Sequence, residues 1–120
     1  MREYLIISTS TDLLRLAAED VVFVSSDGNY STFMLAYGDS RVVTMQLGQI
    51  VRLIEHQLER EGAKFVRIGK SLIINRDYIQ YINIPKQQLV LSDGKMNSYT
   101  QTASKEALKQ LKELIERSVK

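Results

Sequence analysis

Two Asp-Gly pairs, Asp27-Gly28 and Asp93-Gly94, each stand between short runs of β-branched, aromatic and aliphatic residues, and this punctuation constrains the chain more than any other feature. Tight hairpin turns need a positive φ, which glycine adopts without strain, so an Asp-Gly pair between such runs signals a hairpin. "VVFVSSDGNYSTFMLAY" therefore reads as one hairpin and "QLVLSDGKMNSYTQT" as another. Further runs, "YLIIS", "RVVTM", "KFVRI", "SLIIN" and "YIQYINI", are equally short, and glycine, asparagine, aspartate or Pro85 closes them. "DLLRLA" carries a helical stripe but is short enough for a strand, which is the expectation for it.

Two segments keep helical spacing throughout. In "MQLGQIVRLIEHQLEREG", Leu47, Ile50, Val51, Ile54 and Leu58 recur every three or four residues, which predicts a central helix stopped by Gly62. In "SKEALKQLKELIERSVK", Ser104 suits the N-cap, and Leu108, Leu111, Leu114 and Ile115 form one stripe of a closing helix. The expected fold is mainly β: eight or nine short strands in antiparallel sheets around one central helix, closed by a C-terminal helix. With 120 residues the chain suits a single domain over 1–120 with one core.

The residue types exclude most chemistry. Without cysteine there is no disulfide, thiolate nucleophile or Cys-based zinc site, and the single histidine, His56, sits on a polar helix face. Asp27, Asp39, Asp77 and Asp93 each fall at a turn, where a carboxylate bonds its own backbone, and no glycine-rich phosphate loop precedes a helix. The expectation is no catalytic residue, no metal, no cofactor and no small-molecule substrate. No stretch approaches the roughly 20 apolar residues of a membrane span and none resembles a secretory signal, so a cytoplasmic location away from membranes is expected.

Charge is unevenly placed. Residues 1–60 hold 5 Lys/Arg against 8 Asp/Glu, a net of −3, while residues 61–120 hold 11 against 6, a net of +5. Such a basic half points to an anionic partner. Its densest part is "KFVRIGKSLIINRDYI", where Lys64, Arg67, Lys70 and Arg76 precede the first acid, Asp77. Strict alternation would send Arg67 to one face and Lys70 to the other, but a bend at Gly69 would gather Arg67, Lys70 and Ser71 at one rim. The competing reading is an edge strand whose charges discourage aggregation.

The run Phe65, Arg67, Gly69-Lys70-Ser71, Leu72-Ile73-Ile74, Asn75 resembles the signature of the LytTR family of DNA-binding domains. "EDVVFVSSDGNYSTFML" is similar to that family's early strand and "GNYT" hairpin, and "LVLSDGKMNSYTQTASKEALKQL" to its final hairpin and closing segment, so the likeness spans roughly residues 3–115. The resemblance implies an elongated β-sandwich of short antiparallel sheets, sequence-specific binding of double-stranded DNA and transcription regulation through loops entering the major groove. It implies contacts at Asn29, Tyr30 and Ser31, at Gly69, Lys70 and Ser71, at the start of the last helix with Ser104 and Lys105, and at the signature positions Arg67 and Asn75. Gly69 replaces a residue usually histidine or polar in the family, and Lys70 replaces a frequent arginine, a point charge in place of a planar fork. Ser104 and Lys105 stand where the family commonly has an arginine. Family members often follow a receiver domain as the output half of a two-component response regulator; no receiver sequence is present in this chain.

The expected partner is duplex DNA, with a possible homodimer on paired sites. Two alternatives come from other classes: a protein-interaction or dimerisation module using the closing helix or a strand edge, and a small β-barrel binding RNA or single strands through its tyrosines.

Overall fold

A computed structural model describes residues 2–119. Ten strands and two α-helices are present among them: β1 (Tyr4–Ser8), β2 (Leu13–Ala17), β3 (Val21–Asp27), β4 (Tyr30–Leu35), β5 (Ser40–Val43), α1 (Leu47–Gln57), β6 (Phe65–Ile68), β7 (Leu72–Asn75), β8 (Ile79–Asn83), β9 (Gln88–Ser92), β10 (Ser98–Thr102) and α2 (Lys105–Ser118). The mainly β expectation holds, with one or two strands more than anticipated; "LLRLA" is indeed a strand, paired with β1. All pairings are antiparallel.

The strands form three small sheets, the largest in the order β5-β4-β3-β7-β6. This central sheet is covered on both faces. Along β7, Leu72 and Ile74 face one core while Ile73 faces the other, so the strand is apolar without alternation. One core gathers β1, β2 and α1 through Leu5, Ile7, Leu16, Ile50 and Ile54 around Phe33; the second gathers β9 and α2 through Leu89, Leu91, Leu108 and Leu111 around Phe23 and Ile74. A register shift between Val21 and Phe23 lets the consecutive Val22 and Phe23 enter the same core.

The α2 stripe is thus consumed inside its own domain, and Ser104 caps the helix by accepting the Ala107 N–H. The first helix ends sooner than its periodicity predicts. It stops at Gln57 with Leu58 extended and buried, and a short 3-10 turn at Glu61–Lys64 follows. The cause lies far away in sequence: the Glu3 carboxylate accepts the N–H groups of Glu59, Arg60 and Glu61 and draws the chain off the helical path.

Two strand edges are closed by side chains. The Gln57 amide makes both a donor and an acceptor bond with the backbone of Ile6 on β1. On β5, Asp39 accepts the Ser40 N–H, Arg41 donates to the Ser40 carbonyl, and the two side chains pair at 2.9 Å. Occupied backbone groups cannot template another strand.

Candidate nucleic-acid interface

The β6–β7 connection is a three-residue hairpin of Gly69, Lys70 and Ser71, flanked by the pair Ile68 and Leu72. Gly69 has φ +63° and turns the chain between the two strands that the sequence placed on either side of it. Arg67 closes over this turn: its Nε donates to the Gly69 carbonyl at 3.3 Å and its Nη2 to the Lys70 carbonyl at 3.2 Å. Its guanidinium therefore braces the loop that presents Lys70.

The β3–β4 hairpin reaches the same end of the sheet. Gly28, at φ +76°, forms its tip with Asn29, and the Ser26 hydroxyl lies within hydrogen-bond reach of the Gly28 and Tyr30 carbonyls. Antiparallel pairing of β3 with β7 then sets the two turns side by side, joined by the bond from the Ser26 N–H to the Ser71 carbonyl at 2.9 Å. Gly28, Asn29, Tyr30, Gly69, Lys70 and Ser71 are all exposed here, and so is Asp27. Neither Lys70 nor Lys105 has an ion-pair partner among the described residues.

The other expected contact residues lie elsewhere. Ser31 is fully buried and donates to the Met45 carbonyl at 2.7 Å. Asn75 is 1% exposed; its amide nitrogen donates to the Val21 carbonyl and its oxygen caps the following turn by accepting the Asp77 N–H. Neither reaches the surface where the turns meet. Ser104 and Lys105 are exposed at the head of α2, and that helix shares a groove with the hairpin, lined by Arg67 and Gly69 on one side and Ala107 and Gln110 on the other.

The four-cation picture of the basic segment needs correction. Lys64 and Arg76 flank β6 and β7 at the end of the sheet away from the Gly69 turn, because Phe65 pairs with Asn75. Lys64 is neutralised there by Asp77 at 2.9 Å and Glu61 at 3.2 Å, and these partners, Asp77 first, hold its ammonium above the ordinary lysine value. Sequence distance hid this, since hairpin pairing brings Asp77 back beside Lys64. Only Arg67 and Lys70 of the four stand at the turn end.

Sequence reasoning also passed over Gln46 and Gln49 at the start of α1. They form a reciprocal capping box, and the Gln46 amide donates to Asn29 Oδ1 at 3.3 Å, which ties the helix start to the β3–β4 tip. Their signal was legible as a polar residue followed three places later by glutamine, ahead of an apolar run.

Exposed tyrosines do not form one stacking platform: Tyr30 lies at the turn end, Tyr37 beyond the far end of β4, and Tyr81 on β8. Among the described residues no group of three or more His, Cys, Asp or Glu could hold a metal ion, and no helix is long and apolar enough to cross a membrane.

A family model described as the LytTr DNA-binding domain matches residues 11–116. The chain is also similar in structure to the LytTr DNA-binding domain of a protein described as a methyl-accepting/DNA response regulator from Bacillus cereus. The TM-score is 0.62 at 14% identity, over 96% of this chain and 98% of that one, so the fold is shared. No curated protein matches the chain.

Proposed function

The chain belongs to the LytTr DNA-binding domain family, and from that premise we propose that it regulates transcription by reading duplex DNA with its two adjacent turns. Asn29, Tyr30, Gly69, Lys70 and Ser71 enter the major groove, Arg67 braces the Lys70 loop, and Ser104 with Lys105 meets the flanking backbone. Ser31 and Asn75 serve the site from inside by holding strand ends in place. The observation that carries this reading is the Ser26–Ser71 bond, which fixes two hairpin tips together beside Lys70, a lysine with no ion-pair partner among the described residues.

Phosphate neutralisation releases counterions, so affinity must fall with salt. Two cations, Lys70 and Lys105, give a slope of log affinity against log salt near −1.8, at roughly −0.9 per phosphate. Fluorescence anisotropy on labelled duplexes measures it, with single-stranded DNA and RNA as competitors. Absence of duplex binding at low salt, or stronger binding to single strands, overturns the proposal.

A further inference from the structure

Between the β3–β4 tip and the start of α1 opens a cleft of about 410 Å³, lined by Asn29, Tyr30, Thr44, Met45, Gln46 and Gln49. Its amides are locked in orientation. A backbone N–H can only donate, so the Gln49 side-chain oxygen must face the Gln46 N–H, 2.9 Å away; the Gln49 N–H donates to the Gln46 backbone carbonyl at 3.0 Å, with the Gln46 side-chain oxygen beside it in the capping box. That leaves the Gln46 NH2 group to donate, and it lies 3.3 Å from Asn29 Oδ1. The Asn29 oxygen is therefore engaged as well.

What remains for a ligand is weighted toward donors. The NH2 groups of Asn29 and Gln49 are left to donate, with the Tyr30 and Thr44 hydroxyls beside them, and no carboxylate lines the cleft. The Ser26–Ser71 bond sets the β3–β4 hairpin, whose tip walls this cleft, beside the turn that carries Lys70. We propose that the cleft is a second recognition element that takes hydrogen-bond acceptors of duplex DNA, with Asn29 and Gln49 as its donors. The acceptors are phosphate oxygens or the O6 and N7 atoms of a guanine edge. The proposal rests on the DNA-binding reading above and adds α1 to the surface.

The fold itself supplies clean variants. Gln49→Glu keeps the oxygen that caps Gln46, and Asn29→Asp keeps the oxygen that accepts from it, while each removes the donor. Neither should move the thermal unfolding midpoint. Each should weaken duplex binding about tenfold, the scale of a lost base or phosphate contact. Gln80→Glu, the same charge change at an exposed position of β8, should stay within about twofold of the parent.

Two arms separate the acceptors. A phosphate contact predicts equal loss on every duplex and, for Gln49→Glu, a shallower dependence on salt than Gln80→Glu shows, because salt screens the repulsion between the new carboxylate and the phosphate. A guanine contact predicts that a random-duplex selection loses its preference at one position while other positions keep theirs. The proposal is overturned if both variants bind every duplex within about twofold of the parent, or if Gln80→Glu weakens binding as much as they do. If the parent fails to bind duplex DNA at low salt, the functional reading falls first and this inference with it.

Discussion

The two ends of the central sheet use charge in opposite ways. At the end holding Lys64, Asp77 and the β4–β5 turn, the cations Arg2, Arg41 and Lys64 meet Glu19, Asp20, Asp39, Glu61 and Asp77. The Asn97 amide and the Tyr78 hydroxyl donate to backbone carbonyls of Ala36 and Glu19 there. At the opposite end Asp27 is exposed beside the turns, yet Lys70 has no ion-pair partner among the described residues, and the Gln46 amide donates to Asn29. Exposed ion pairs contribute little each, about 0 to 1 kcal/mol. The paired end therefore works mainly by fixing strand ends, and the unpaired end keeps its charge for a ligand. Separating the two roles lets the turns vary without disturbing the register behind them.

The largest expected effect tests whether the paired end is structural alone. Asn75→Ala removes the bond to the Val21 carbonyl and the cap on Asp77, both in the interior. A buried carbonyl left without its donor, together with a lost cap, should cost about 2 to 4 kcal/mol of stability. Urea denaturation measures that cost, and DNA affinity per folded molecule should stay unchanged. Lost affinity at full stability would mean that Asn75 belongs with the turns.

Lys70→Ala should behave in the opposite sense. Stability should hold, while binding weakens by on the order of 1 to 3 kcal/mol on specific DNA if the lysine reads a base. If it meets only phosphate, specific and scrambled duplexes weaken alike. Unchanged affinity on both would remove Lys70 from the interface and leave the contrast between the ends without a functional side.

Arg67→Lys sharpens the contrast further, because it keeps the charge and discards the fork. Lysine cannot span the Gly69 and Lys70 carbonyls, so the turn should loosen and specific affinity drop about threefold at an unchanged salt slope. A changed slope would mean that the loosened turn no longer holds Lys70 against phosphate.

How much of this was legible in the sequence depended on range. The turns at Gly28, Gly69 and Gly94 and the cap at Ser104 are local, and their residues announce them. What failed was decided across the chain. The periodicity of α1 runs to Leu58 and Gly62 marks the expected stop, but Glu3 takes the backbone groups between them. Lys64 looks free until hairpin pairing returns Asp77 to it. Ser31 and Asn75 carry contact-type side chains, yet the sheet is covered on both faces, so a polar residue in it can be an interior brace.

The smallest effect comes from acid. The three N–H donors on Glu3, that of Glu61 foremost, hold its carboxyl below the ordinary 4.5. A folded value below the unfolded one means that the carboxylate contributes stability in full above pH 4.5, and that this contribution is lost as the pH falls through the lower folded value. The parent's unfolding midpoint should therefore decline below pH 4.5 more steeply than that of Glu3→Gln, and the two should converge in stronger acid. Because the carboxylate lies at the surface and is only half-buried, the difference will be slight. It still discriminates: Glu3 tethers residues 59–61, so its protonation should loosen the paired end first. In hydrogen exchange, the N–H groups of Glu59 and Glu61 should lose protection at a higher pH than the Ser26 N–H that joins the two turns. Simultaneous loss at all three would mean that the sheet's ends are one cooperative unit, and that the division of labour between them is a matter of charge alone.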